Sequence, residues 1–221
     1  MQLTRNTLTA FLSMIVFIVL CGVLYPLVIT GISQGIFPGN ANGQQIRLNG
    51  KLLGSKIIGQ DFATAVMKNG KVVLDSNGNP VVTPDPKYFQ SRPSATVPAY
   101  NAAASTFANL GPNNKATEQA TAANVKAYIA LNSKYFPGGL TAGKVPVDAV
   151  ETAASGLDPE ISIRNADIQS YRIAAVRHMP RAQVLRLIRN NTHIPSAEIL
   201  GAPGVNVLEL NLALNRAQGG H

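Results

Sequence analysis

The chain has 221 residues, 46% of them hydrophobic and 14% charged, and its 19 Lys and Arg outweigh 11 Asp and Glu. A single cysteine, Cys21, excludes a disulfide framework and a thiolate metal site. Tryptophan is absent and the basic residues are scattered, so the net charge of +8 reads as a solvated basic surface, and no nucleic-acid partner is expected.

One stretch dominates the chain. No charged residue occurs between Thr7 and Ile46, and residues 10–32 are apolar at most positions. A bilayer core takes about 20 apolar residues in helical form, and in lipid the backbone must bond internally. Residues 10–32 therefore predict one transmembrane helix, which Pro26 is expected to kink near its far end. A cleaved signal peptide fits less well, because the run is long and Ile29-Thr30-Gly31-Ile32-Ser33 is a poor cleavage site. A lipid anchor at Cys21 is discounted by its mid-run position after the bulky Leu20. A buried globular helix would be shorter or amphipathic. Gly31 and Gly35 mark the membrane exit better than a helix-dimer face, since Ser33 and Gln34 lie between them. Arg5 and the α-amino group on the short flank 1–9 hold the amino terminus in the cytoplasm, which places the rest outside, in the periplasm of a bacterium.

Residues 33–45 are rich in turn formers and read as a linker. Residues 46–216 read as one α+β domain, with 217–221 as a tail. Gln45–Leu48 and Lys51–Leu53 flank Asn49-Gly50, a dipeptide suited to a type I′ turn, and predict a hairpin. Residues 66–86 read as an inserted second hairpin around Asp75–Asn79. Pro93 forces Arg92 out of helical geometry. Residues 97–114 form a long polar loop of small residues. A helix is expected from Ala116 to Phe136, with Val125, Tyr128, Ile129, Leu131 and Tyr135 on its apolar side and Pro137-Gly138-Gly139 as its stop. Pro146 opens a short helix from Val147 to Ala153, and Asp158 is expected to cap a helical turn before Pro159. Helices follow over 165–178 and from Pro180, the second with Val184, Leu185, Leu187 and Ile188 on its apolar side. Residues 205–214 close the fold as a strand, because Leu208, Leu210, Leu212 and Leu214 alternate with other residues.

The search for chemistry is mostly negative. His178, His193 and His221 lack the spacing of a zinc helix, and no G-x-S-x-G is present. Asp148, Glu151, Asp158 and Glu160 form the densest acidic cluster; helix-start charges explain it better than a calcium loop. Residues 138–144 match G-x-x-x-x-G-K, but Val145 replaces the required hydroxyl, a helix precedes and Pro146 follows, so the stretch reads as a connector. No catalytic, metal-binding or cofactor-binding residue is identified. The polar stretches 54–62, 88–95, 100–114 and 155–162 could line a pocket, dock a partner or brace loops, and bracing is the default. A rival class, an anchored periplasmic enzyme or solute binder acting alone, needs a pocket with convergent ionisable groups.

These stretches also carry a resemblance. In order they read Gly54-Ser-Lys-Ile-Ile-Gly-Gln-Asp-Phe62, Tyr88-Phe-Gln-Ser-Arg-Pro-Ser-Ala95, Tyr100-Asn101, Asn109-Leu-Gly-Pro-Asn-Asn114, Val145-Pro-Val-Asp148, Ser155-Gly-Leu-Asp-Pro-Glu-Ile-Ser162 and Val205-Asn-Val-Leu-Glu-Leu-Asn-Leu-Ala-Leu214. This resembles the C subunit of the bacterial Kdp potassium-transporting ATPase over nearly the whole chain. Residues 105–108 depart from it, with Ser-Thr-Phe-Ala where the family has a Ser-Gly-Gly-Ser run, and residues 66–86 are longer than in many relatives. The resemblance implies a non-catalytic accessory subunit. Its partners would be a channel-like potassium-binding subunit, a P-type ATPase subunit and a small single-span subunit. The family is described as a catalytic chaperone raising the pump subunit's affinity for ATP, the one cofactor the resemblance suggests. With the domain outside and ATP inside, such an effect would have to pass through the membrane helices; the domain could also cap the channel subunit's outer mouth. Phe11, Leu12, Ile15, Phe17, Leu20, Leu24 and Pro26 are then candidate intramembrane contacts, and Gln60, Arg92, Asn101, Asn109 and Asp158 candidates for loop architecture or docking.

Overall fold

The computed structural model describes residues 2–106, 109–111, 113–195 and 201–219. Phe107 and Ala108 of the 105–108 stretch, Pro112 of the 109–114 motif and His221 lie outside the described residues.

Helix α1 (Gln2–Phe17), a π-helical turn (Ile18–Leu24) and α2 (Tyr25–Ile36) form one continuous helix of 35 residues. At 1.5 Å per residue it is about 52 Å long, against a hydrocarbon core of about 30 Å. None of its residues is buried in the chain. A π turn precedes Pro26, close to where a kink is expected. The Tyr25 N–H bonds to the Leu20 carbonyl, five residues back. Pro26 falls in the first turn of α2, directly after the π turn.

The segment after the helix is folded. A helical turn, α3 (Pro38–Ala41), follows Phe37, and the amide side chains of Gln34 and Asn42 exchange bonds of 3.2 and 3.0 Å back to the helix end. Strands β1 (Gln45–Leu48) and β2 (Lys51–Ser55) form the expected hairpin. Asn49 and Gly50 both have positive φ, 50° and 79°, as a type I′ turn requires.

Residues 63–84 pair at their base through β3 (Ala63–Ala65) and β6 (Val82–Pro84). Within them Leu74 bridges Pro80 across the Asp75 turn. Backbone N–H bonds, the one from Asn79 foremost, hold the Asp75 carboxyl below its ordinary range. A second turn at Asn69-Gly70, with φ of 53° and 75°, joins β4 (Met67–Lys68) to β5 (Lys71–Val72) and was not anticipated.

The core lies in the second half of the chain. Helix α4 (Lys115–Asn132) starts at Asn114, whose side chain accepts from the Ala116 N–H. Strand β7 (Glu160–Ser162) leads into α5 (Ile163–Val176), α6 (Arg181–Asn190), β8 (Thr192–His193), β9 (Gly204–Asn206) and α7 (Val207–Ala217). The three strands form an antiparallel sheet in the order β7-β9-β8. Phe89, Ile161, Ile173, Val184, Val205 and Leu210 belong to one apolar cluster around it. A smaller cluster under α4 gathers Tyr128, Leu140, Val150 and Ile168. The fold class is α+β, with one long apolar helix ahead of a mixed domain.

Three expectations are corrected. Residues 205–214 are not a strand throughout: only Gly204–Asn206 is extended, and α7 follows. Asn206 caps that helix by accepting from the Glu209 N–H at 3.0 Å, and Val207, Leu210 and Leu214 then share one buried face at helical spacing. The helix expected over 147–153 is a single 3-10 turn, Val147–Ala149. Asp158 caps no helical turn: its Oδ1 accepts from the Glu160 N–H and opens strand β7.

A polar chain runs through the interior. Asn165, Gln169 and Arg172 occupy one face of α5, each 0–1% exposed. Asp148 accepts from the Asn165 amide at 2.9 Å. Asn165 accepts from Gln169 at 2.9 Å, and Gln169 from Arg172 Nη2 at 2.7 Å. Arg172 also donates to Asn132 Oδ1 and to the carbonyls of Pro86 and Tyr88. Burial lowers its pKa to about 10, so it remains charged at neutral pH. Arg172→Met keeps much of the volume and strips these oxygens of their donor. It is expected to cost about 3–5 kcal/mol, measured by denaturant unfolding of the chain in detergent.

Candidate functional site

The segment 85–96 is threaded across the core by side chains from elsewhere. Asn211 accepts from the Phe89 N–H at 2.9 Å and donates to its carbonyl at 3.0 Å. Gln169 holds the Gln90 backbone in the same two-handed way, at 2.7 and 3.0 Å. Gln90 in turn donates to the carbonyls of Phe62 and Asp85. This clamps the backbone leading to Arg92.

Arg92 Nη1 lies 3.0 Å from Asp158 Oδ2, with both side chains a quarter to a third exposed. The Arg92 carbonyl accepts from the Tyr100 hydroxyl. Burial raises the pKa of Tyr100, so its O–H stays a donor. Ser94 Oγ gathers the turn: it accepts from the Tyr100 N–H at 3.0 Å and donates to the Gly156 carbonyl at 2.7 Å. Gly59 packs beneath, its N–H bonded to the Leu157 carbonyl at 2.7 Å. A Cβ there would lie 2.6 Å from the Asp158 carbonyl oxygen and against the Tyr100 ring, so only glycine fits.

Of the five candidate loop residues, the structure joins Arg92 directly to Asp158. Gln60 is next to them: its carbonyl accepts from Ser91 Oγ at 3.0 Å, and its side chain donates to the Leu53 carbonyl at 2.6 Å. Asn101 braces its own loop, with Oδ1 accepting from the Ala103 N–H and its N–H donating to Thr96 Oγ1. Asn109, with φ of 51°, stands apart. The seven membrane-helix candidates, Phe11, Leu12, Ile15, Phe17, Leu20, Leu24 and Pro26, all lie on the exposed long helix.

Two surface cavities meet here. The first, about 530 Å³, is lined by Ile57, Ile58, Arg92, Leu157 and Asp158. The second, about 540 Å³, is lined by Asn109, Leu110, Thr117 and Asn124, and the two share Ala153 and Ala154. Among the described residues, the buried side-chain polar atoms without a hydrogen-bond partner are Arg92 Nε and Thr117 Oγ1, one beside each cavity. Sequence reasoning missed Ser94, Gly59, Thr117 and the clamp residues Gln169 and Asn211. Gly59, set between Ile58 and Gln60 in the polar stretch 54–62, was the one available signal for a close approach.

Among the described residues, no group of three or more His, Cys, Asp or Glu side chains could hold a metal ion. Residues 138–144 lack the context of a phosphate loop: they follow α4, Gly138 and Gly139 both have φ of 72°, and a 3-10 turn (Ala142–Lys144) closes them. The arrangement offers a braced surface with a partly engaged guanidinium. Tyr100→Phe leaves the Arg92 carbonyl without its donor and is expected to lower stability by about 1–2 kcal/mol in denaturant unfolding. A double-mutant cycle on Arg92 and Asp158 is expected to give a coupling of about 0.2–1 kcal/mol, because the pair is partly solvated.

Comparison with known proteins adds the family. The model of the family described as KdpC, "K+-transporting ATPase, c chain", matches residues 7–216. A protein of Mycobacterium tuberculosis strain H37Rv named potassium-transporting ATPase KdpC subunit is 40% identical over 212 residues, covering 96% of this chain and 98% of its own. Proteins of the same name from Herpetosiphon aurantiacus and Erwinia tasmaniensis are 41% and 42% identical over 209 and 198 residues, covering 94% and 89% of this chain and 94% and 90% of their own. The chain belongs to the KdpC family.

Proposed function

We propose that this chain is a non-catalytic accessory subunit of an ATP-driven potassium uptake complex in the bacterial inner membrane. The family match over residues 7–216 carries the function, and its membrane part is supported by the helix Gln2–Ile36. It is apolar over an 18-residue window of mean hydropathy 2.7, and none of that window is buried inside the chain. Such a surface needs lipid or another protein against it. In this reading residues 1–9 lie in the cytoplasm, 10–32 cross the bilayer, 33–45 link, and 46–216 form a periplasmic domain. The partners are a channel-like potassium-binding subunit, a P-type ATPase subunit and a small single-span subunit.

Docking of the domain falls to the surface around Arg92. Its Nε is buried without a partner among the described residues, while its Nη1 is held by Asp158. A carbonyl or carboxylate from a neighbouring subunit would complete its bonding. Any effect on nucleotide affinity then passes through the membrane helices, because ATP is on the other side.

The first test is topology. A reporter active only outside the cytoplasm, fused after Leu214, is expected to be active, and its cytoplasmic counterpart silent. The reverse pattern would overturn the orientation. The second is Arg92→Ala in the assembled complex, expected to weaken co-purification with the potassium-binding subunit. Unchanged assembly and unchanged uptake would remove Arg92 from the docking surface.

A further inference from the structure

A third cleft, of different charge, is lined from Gln45 on, nine residues after the long helix ends at Ile36. It measures about 350 Å³, and its lining includes Gln45, Arg47, Lys56, Asn191, Glu209 and Arg216. Its carboxylate is already engaged. Glu209 Oε1 lies 2.6 Å from Lys56 Nζ, and Glu209 Oε2 lies 3.5 Å from His193 Nε2. Arg47 is different: its guanidinium donates to the neutral Gln45 Oε1 at 2.9 Å. Among the described residues, the Arg216 side chain has no hydrogen-bond or ion-pair partner. Two guanidiniums thus share one cleft with no free anion between them. The fork of each guanidinium matches phosphate oxygens.

Position narrows the kind of anion. Helix α2 ends at Ile36, and the cleft begins at Gln45. Even fully extended, the intervening residues could carry it no farther than about 30 Å from the helix end. The α3 turn and the Gln34–Asn42 amide pair shorten that reach. Leu52, Leu53 and Ile57, on and just after the adjoining strand β2, expose 55%, 36% and 53% of their surface. Cations beside exposed apolar side chains, continuous with a membrane helix, are the pattern of an interfacial surface.

We infer that this cleft binds the phosphate of an anionic phospholipid headgroup in the leaflet where α2 emerges, with Arg47 and Arg216 as its ligands. The inference rests on the helix being a membrane anchor, and the experiment separates the two. The full chain is incorporated into nanodiscs of phosphatidylcholine, alone or with one quarter phosphatidylglycerol, and co-released lipid is read by native mass spectrometry. Incorporation into phosphatidylcholine discs tests the anchor; failure there overturns both readings. With the anchor intact, the chain is expected to retain phosphatidylglycerol. The R47Q/R216Q variant is expected to lose that retention at least about fivefold. The charge-matched variant K68Q/K71Q, on the exposed strands β4 and β5, is expected to retain it. Equal retention by wild type and R47Q/R216Q overturns the proposal, as does equal loss in both variants, which reports only net charge. Displacement of the lipid by millimolar inorganic phosphate would assign the cleft to a free anion and overturn the lipid reading.

Discussion

A buried guanidinium hydrogen-bonded to neutral oxygens holds this domain together. Arg172 is fully buried, and the groups it touches are neutral oxygens: two backbone carbonyls and two side-chain amides. A charge taken out of water is tolerated only when its donors are nearly all used. That demand fixes three elements at once. It sets the end of α4 through Asn132, the face of α5 through Gln169, and the path of the chain at Pro86 and Tyr88. Asp148, at the far end of the same chain of bonds, accepts from Ser162 and Asn165 and so anchors the start of α5. Polar interactions here specify geometry that an apolar core of equal volume would leave loose.

The candidate docking surface inherits its order from this interior. Arg92 and Ser94 follow a segment whose backbone is gripped by Asn211, Gln169 and Arg172, so they arrive in place without regular secondary structure of their own. The grips come from residues far along the chain, up to 122 positions from Phe89. The loop 155–158 is fixed from the other side, by Ser94 and the Gly59 N–H. A surface built this way is rigid although it is made of loops, which suits recognition of a fixed partner.

Much of the architecture was legible. The apolar run gave the long helix, Asn49-Gly50 gave the hairpin, and the Val184–Ile188 pattern gave the face of α6. The ordered polar motifs gave the family. What was not legible has physical causes. Alternating leucines from 208 to 214 satisfy a strand, yet Val207, Leu210 and Leu214 satisfy a helix equally well. The cap at Asn206 decides between them, and its role emerges only once Glu209 is seen to donate to it. Asn165, Gln169 and Arg172 lie at helical spacing, which by composition reads as a solvated stripe. Their inward orientation depends on acceptors contributed by residues 86–90 and 132, and no local pattern reveals those. The pairing of Arg92 with Asp158 is non-local in the same sense: each sits in a recognisable polar stretch, but 66 residues separate them.

The π turn in the long helix has a geometric consequence. Each α-helical residue advances the side-chain direction by about 100°, so a turn that closes five residues back instead of four changes the direction in which everything beyond it faces. Phe11 and Ile15 lie before the turn and Pro26 after it. A stripe drawn through all of them at constant helical spacing therefore does not stay on one side. The helix offers one azimuth to neighbours near its start and another to neighbours near its end. It can wedge between two membrane segments at different depths, where an unbroken α-helix of the same sequence would lie along one.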